Sequence, residues 1–118
     1  AALRTKLDEV DGIFTPNGTS SSDTLAALKR IKQAGKRIHI GFDSSSLLVE
    51  AVQQGEMYGL VVQQPFAKGL QSVQLAQRLL QGEVLSNPRL LIDLPVVFVN
   101  RDNLQKPEIA GLLQLPSR

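Results

Sequence analysis

The 118-residue chain has no cysteine and no tryptophan, and only one histidine, one methionine and one tyrosine. Without cysteine, disulfides, thiolate nucleophiles and thiolate-ligated metals are excluded, although the compartment is not fixed by that absence. The single histidine, His39, sits between Ile38 and Ile40, and neither a triad nor a metal site can be assembled around it. It reads as a core residue. Charge of one sign is equally scarce in excess: 13 Lys+Arg against 11 Asp+Glu leave a net charge of +2. That gives no field for gripping nucleic acid, and no nucleic-acid partner is expected in this segment. No apolar run is long enough to span a bilayer, and the first residues lack the charged-then-apolar plan of a signal peptide. The chain is expected to be soluble, and either mature, cytoplasmic or a fragment. GxxxxGK, GxSxG and GxGxxG are missing, so no catalytic residue, cofactor or metal is expected.

What is present is an ordinary globular composition, 42% hydrophobic and 20% charged, enough for one domain or a piece of a larger one. Two periods alternate along it. Val10–Phe14 is a short apolar run stopped by Thr15-Pro16-Asn17-Gly18 and a serine cluster, which predicts a strand and a loop. From Asp23 to Ala34, Leu25, Leu28 and Ile31 recur at helical spacing, and Gly35 stops them. Arg37–Phe42 predicts a second strand. Leu47, Leu48, Ala51 and Val52 then form one helical face that Gly55 ends. Gly59–Gln63 predicts a third strand, and Pro65 to Gln81 a longer helix bounded by Gly82. Leu90 to Val99 is apolar but interrupted by Asp93 and Pro95, as in an edge strand or one that passes between sheets. From Gln105 the tail is expected on the surface or fraying. The fold class is α/β: βαβ units, a parallel sheet and helices on both faces.

In such a sheet ligands bind beyond the carboxyl ends of the strands. Three strands finish there in a polar side chain: Asn17 past Phe14, Asp43 directly after Phe42, and Gln63. Asn and Gln offer donors and an acceptor, and ionised Asp accepts only, a set that suits a neutral polyhydroxylated ligand, above all a sugar. Each also has a purely structural reading. Asn17-Gly18 is a turn pair, Asp43 before Ser44-Ser45-Ser46 is placed to cap a helix, and Gln63 can simply end a strand. The serines at 20–22 and 44–46 read as loop and capping residues, because no base is positioned to activate them. Lys29, Arg30, Lys32, Lys36 and Arg37 read as cations complementing a helix C-terminus, with phosphate binding as the other reading. Asn17-Gly18-Thr19 matches the short glycosylation acceptor pattern.

The run "DGIFTPNG…TLAALKRIKQAGKRIHIGFDSSSLLVEAVQQGEMYGLVVQQPFAKGLQSVQLAQRLLQGE" resembles the later part of periplasmic sugar-binding proteins of the ribose-binding type, which serve ABC transporters and chemoreceptors. The resemblance extends from about Asp11 to Asn103. Its marks are the strand-end Asn, GFD followed by a helix ending AVQQG, and V-V-Q-x-P-x-x-x-G. Many relatives carry an acidic residue where this chain has Gly18. The resemblance implies a partial lobe of a two-lobed protein that closes on a sugar, with Asn17, Asp43 and Gln63 as ligand-binding residues. Gln64 and Pro65 would lie at a hinge and Asn100 near a second crossing. It divides the chain into 1–64 as part of the C-terminal-type lobe, 65–88 as a helix that packs on the other lobe, 89–104 as a returning hinge strand, and 105–118 as a tail. Partners implied are a sugar, the missing N-terminal lobe or a second copy of the chain, and an ABC permease or membrane receptor, in the periplasm. Leu70, Val73 and Leu80 would lack their usual cover. The alternative is the effector domain of a lactose-repressor-type regulator, which would be cytoplasmic. An enzyme is the third reading, and "TPNGTSSS" lacks the glycine-rich first turn that a dehydrogenase-like unit needs.

Overall fold

The computed structural model describes residues 6–87 and 91–113. Chain contacts divide it into two units, one formed by the residues up to Val62 with those from Val97 onward, the other by Gln63–Val96.

In the first unit a single 3-10 turn, Leu7–Glu9, precedes strand β1 (Gly12–Phe14). Helix α1 (Gly18–Arg30), β2 (Ile38–Phe42), helix α2 (Ser46–Gln54) and β3 (Gly59–Val62) follow. β4 (Val97–Asn100) and a last helix, Pro107–Leu112, complete it. The four strands lie in the order β1-β2-β3-β4. The first three are parallel, with Gly12 opposite Ile38 and Ile40 opposite Gly59. β4 is antiparallel to β3, with Val62 opposite Val97 and Gly59 opposite Asn100. The parallel expectation thus holds for three strands and not for the fourth. The chain leaves the sheet after Val62 and re-enters beside it at Val97, so β4 must run back along β3. As Pro95 implied, β4 is an edge strand, and it begins only beyond that proline.

Alternation decides the core. His39, Leu60, Val62 and Val99 face the helices and are buried. Leu60, Val62 and Val99 meet Leu25 of α1 and Leu48, Val49, Ala51 and Val52 of α2 in a cluster that Leu104 and Ile109 also join. The tail expected on the surface therefore forms a helix over Pro107–Leu112 with Ile109 in the core. The opposite sheet face carries Phe14, Ile38 and Phe98, which are 60%, 52% and 40% exposed, so α1 and α2 cover only one side.

In the second unit helix α3 (Pro65–Leu80) has proline at its first turn, where the missing N–H is no loss. Gln64 donates from Nε2 to the Pro95 carbonyl at 2.7 Å, tying the two ends of the unit together. Arg78 pairs with Glu83 just past the helix. No side chain of α3 is buried: Phe66, Leu70, Val73 and Leu80 share one face and stay exposed.

Candidate functional site

Two of the predicted strand-end side chains meet at one place, the first turn of α1. The helix begins five residues earlier than Asp23, at Gly18, because Asn17 caps it. Asn17 has extended backbone, and its Oδ1 accepts the Ser20 N–H at 2.8 Å. Weak helix formers, Gly18 through Ser22, therefore fold as helix once their amides have acceptors. Asp43 reaches the same turn from β2. Its Oδ2 accepts the Gly18 N–H at 3.3 Å. The cap of α2 is Ser45, whose Oγ accepts the Leu48 N–H at 3.3 Å, so the expectation that Asp43 caps its own following helix is corrected: it supports the preceding one.

The backbone makes this possible. Asp43 has φ +66°, a left-handed conformation that aspartate tolerates better than bulkier residues. Its N–H still donates to the Val61 carbonyl at 2.9 Å, continuing the ladder one residue past β2. The side chain is thus turned off the sheet edge toward the α1 N-terminus, where the Gly18 amide and the helix dipole favour negative charge. Between the starts of α1 and α2 lies a cavity of about 470 Å³ that includes Gly18, Thr19, Asp23, Asp43 and Ser45 in its wall.

Beneath Asn17 lies a buried polar relay that the sequence reading missed. Ser21 and His39 are completely buried and Thr15 nearly so. Ser21 Oγ lies 2.7 Å from the Asn17 carbonyl, which can only accept, so the serine donates there. It accepts the Phe42 N–H at 3.0 Å. Thr15 Oγ1 stands 2.9 Å from Ser21 Oγ and 3.1 Å from His39 Nε2. With the Ser21 proton committed, Thr15 donates to Ser21 and accepts from His39, which places the imidazole proton on Nε2. His39 Nδ1 is left buried without a partner, and burial pushes the imidazole below its ordinary pKa. His39 is the core residue expected, and it anchors the loop that holds Asn17. No sequence signal announced the relay, since Thr15, Ser21 and His39 are each unexceptional alone and meet only through the register of β2.

Gln63 follows β3 and opens the second unit. Its Oε1 accepts from Lys68 Nζ. Gln64 and Pro65 stand at the same exit from the sheet. Asn100 does not lie at the return crossing. The chain re-enters at Val97, and because β4 is antiparallel Asn100 falls at the far end of the strand, opposite Gly59. There its Oδ1 accepts the N–H groups of Asp102 and Asn103, forming the turn after β4. Among the described residues no group of His, Asp or Glu is clustered to hold a metal ion, and no helix is long and apolar enough to cross a membrane.

Comparison with known proteins finds that residues 1–84 match the family described as periplasmic binding protein domain. The ribose import binding protein of Haemophilus influenzae is 34% identical over 90 residues, covering 75% of this chain and 30% of that protein. Among solved structures, an ABC transporter solute-binding protein from Agrobacterium vitis with bound D-fucose superposes with a TM-score of 0.84 at 33% identity. It covers 95% of this chain, which spans 37% of that one. A carbohydrate transporter solute-binding protein from Agrobacterium radiobacter, in complex with D-arabinose, gives 0.82 at 28% identity over the same shares, 95% and 37%. The chain therefore spans about a third of the length of these relatives.

Proposed function

Since this chain belongs to the periplasmic binding protein domain family, we propose that it is a sugar-holding portion of a solute-binding protein that delivers its sugar to an ABC transporter or a chemosensory receptor in the periplasm. Asn17, Asp43 and Gln63 are its ligand-binding residues. The observation that carries this reading is the joint placement of Asn17 and Asp43 on the first turn of α1, beyond the carboxyl ends of β1 and β2. Asn17 uses Oδ1 within the protein, and a carboxamide has two N–H donors besides, suited to ligand hydroxyl oxygens. Asp43 accepts ligand hydroxyl protons, a charged hydrogen bond that contributes about 1.5–3 kcal/mol. Gln63 adds an amide of both polarities.

A chain of a third of the relatives' length supplies only part of a sugar's surroundings, and the remainder comes from the other lobe or from a second copy. Gln64 and Pro65 act as a hinge in that larger assembly. The exposed α3 face at Phe66, Leu70, Val73 and Leu80 is the surface that the other lobe covers. The relatives above are named for import and transport, and no observation favours the regulator reading. The test is calorimetric or NMR titration with D-ribose, D-fucose and D-arabinose. Saturable binding by the natural chain that Asp43→Asn weakens roughly tenfold supports the proposal. Equal responses from both proteins, or no response to any of the three sugars, overturn it.

A further inference from the structure

A second cavity, of about 390 Å³, lies at the other end of the first unit's sheet. Lys36, Arg37 and Ile38 reach it from the start of β2, Gly55 and Tyr58 from the approach to β3, and Arg101 and Asp102 from the turn after β4. These are the amino ends of the parallel strands, opposite the rim that carries Asn17 and Asp43. Three cations and one carboxylate leave the cavity positively charged. Among the described residues neither Lys36 nor Arg101 has an ion pair. Arg37 is held in place rather than neutralised: Nε donates to the Val10 carbonyl at 3.1 Å and Nη1 to the Lys36 carbonyl at 3.3 Å. Its nearest carboxylate is the fully exposed Asp8, at 3.8 Å. Arg101 lies along Gly55, where a Cβ would stand 3.3 Å from its Nη1, so the glycine leaves room for the guanidinium at the cavity wall. The other nearby acid, Glu56, is committed to Lys29 at 2.6 Å. Tyr58, more than half exposed and paired with Phe98 at 6.3 Å between ring centres, supplies an apolar flank and a hydroxyl.

Cations gathered from two separate segments, Lys36 and Arg37 before β2 and Arg101 after β4, are costly to hold together unless an anion shares them, and a guanidinium fixed by backbone carbonyls is preorganised for oxyanion geometry. We propose that this cavity binds a small organic oxyanion, a phosphate ester or a polycarboxylate, whose charged group is held by Lys36, Arg37 and Arg101 and whose body lies against Tyr58 and Ile38. The volume is that of a small-molecule site and exceeds what an inorganic ion needs. The inference stands independently of sugar binding, since it uses none of the residues assigned to that role.

The test is amide-detected NMR titration of the whole chain with inorganic phosphate and, separately, with succinate, each against sodium chloride at matched ionic strength. Saturable shifts confined to Gly55, Tyr58, Arg101 and Asp102, with Gly18 and Asp43 unmoved, are expected. A larger response to phosphate assigns the ester class, and a larger response to succinate the carboxylate class. Lys36→Gln with Arg101→Gln, two exposed positions, should weaken the response roughly tenfold while the melting temperature stays unchanged. Shifts that chloride reproduces, that never saturate, or that persist in the double variant overturn the proposal.

Discussion

Asp43 Oδ2 accepts the backbone N–H of Gly18 at 3.3 Å, so the carboxylate that ends β2 also completes the first turn of α1. One side chain thereby joins two elements and faces the candidate ligand site. These two roles separate by substitution. Asn at position 43 tolerates the left-handed backbone and still presents an acceptor to Gly18. Asp43→Asn should therefore change stability by less than about 1 kcal/mol. Sugar affinity should fall roughly tenfold as the charged hydrogen bonds become neutral ones. Asp43→Ala should lose the same affinity and a further ~1 kcal/mol of stability, with the cap gone. Urea denaturation read beside sugar titration distinguishes the two losses.

The relay below Asn17 predicts a mutational cost far from any ligand. Ser21→Ala removes the acceptor of the Phe42 N–H and the donor to the Asn17 carbonyl in a fully buried setting. Destabilisation of about 1–3 kcal/mol is expected, because the amide left behind is desolvated and unpaired. Ser22→Ala, one residue on, should lie within about 0.5 kcal/mol of the natural protein. Chemical denaturation midpoints of the two variants test the contrast.

His39 makes stability depend on pH. Burial lowers its pKa from the ordinary 6.5, so in mildly acid solution the unfolded chain binds a proton that the folded chain refuses. Stability from this group is complete above 6.5 and falls as pH drops from there toward the lower folded value, where the decline ends. The proton would enter at Nδ1, which has no acceptor. Folded-state NMR of the imidazole should show the Nε2–H tautomer and a titration midpoint below that of free histidine. A midpoint at or above the free value would refute the account.

Much of this architecture is legible from residue pattern, and the parts that are not have physical reasons. Periodicity finds β2, α2, β3 and α3 because each has a run of apolar residues at a single period, and the two helices are followed by Gly55 and Gly82 in left-handed conformations. It misplaces the start of α1, since Gly18-Thr19-Ser20-Ser21-Ser22 has no apolar face and is helical only through Asn17 and Asp43. It cannot give β4 its direction. Val97–Asn100 would read the same parallel or antiparallel, and only the re-entry beside Val62 decides. The polar rim is visible for Asn17 and Asp43 because strand ends are easy to locate. Thr15 and Ser21 are invisible as a pair, because their contact depends on the His39 register. The placement of Asn100 follows from strand direction and fails with it.

Two glycines predict opposite outcomes. A Cβ at Gly59 would lie 2.7 Å from the Val99 carbonyl and 2.6 Å from the Phe98 ring, and backbone cannot yield as a side-chain tip can. Gly59→Ala should cost about 1–3 kcal/mol or more through displacement of β4. Gly69, inside α3, has nothing within 4 Å of the added carbon. Gly69→Ala should stabilise α3 by up to ~1 kcal/mol, from helix propensity alone. Hydrogen exchange of the α3 amides, read beside the global denaturation midpoint, locates each effect.

The α3 surface sets the last expectation. Phe66 and Leu80 are 82% and 89% exposed, Val73 67%, and Leu70 about half, all on one helical face. Water-exposed apolar area of that extent favours association, each fully covered side chain contributing about 1.5–3 kcal/mol. Without a covering lobe the chain should associate with itself as its concentration rises, and it should bind sugar only in the roughly millimolar range, where binding energy is about 4 kcal/mol. Adding the complementary lobe of a full-length relative in trans should suppress self-association and tighten sugar binding together, because one surface serves both. Val73→Lys should abolish self-association and also the rescue, while a sugar titration of the isolated variant remains as weak as before. Sedimentation velocity across a concentration series is the decisive measurement: a chain that stays monomeric with α3 uncovered and binds sugar in the micromolar range would show that neither lobe nor partner is needed.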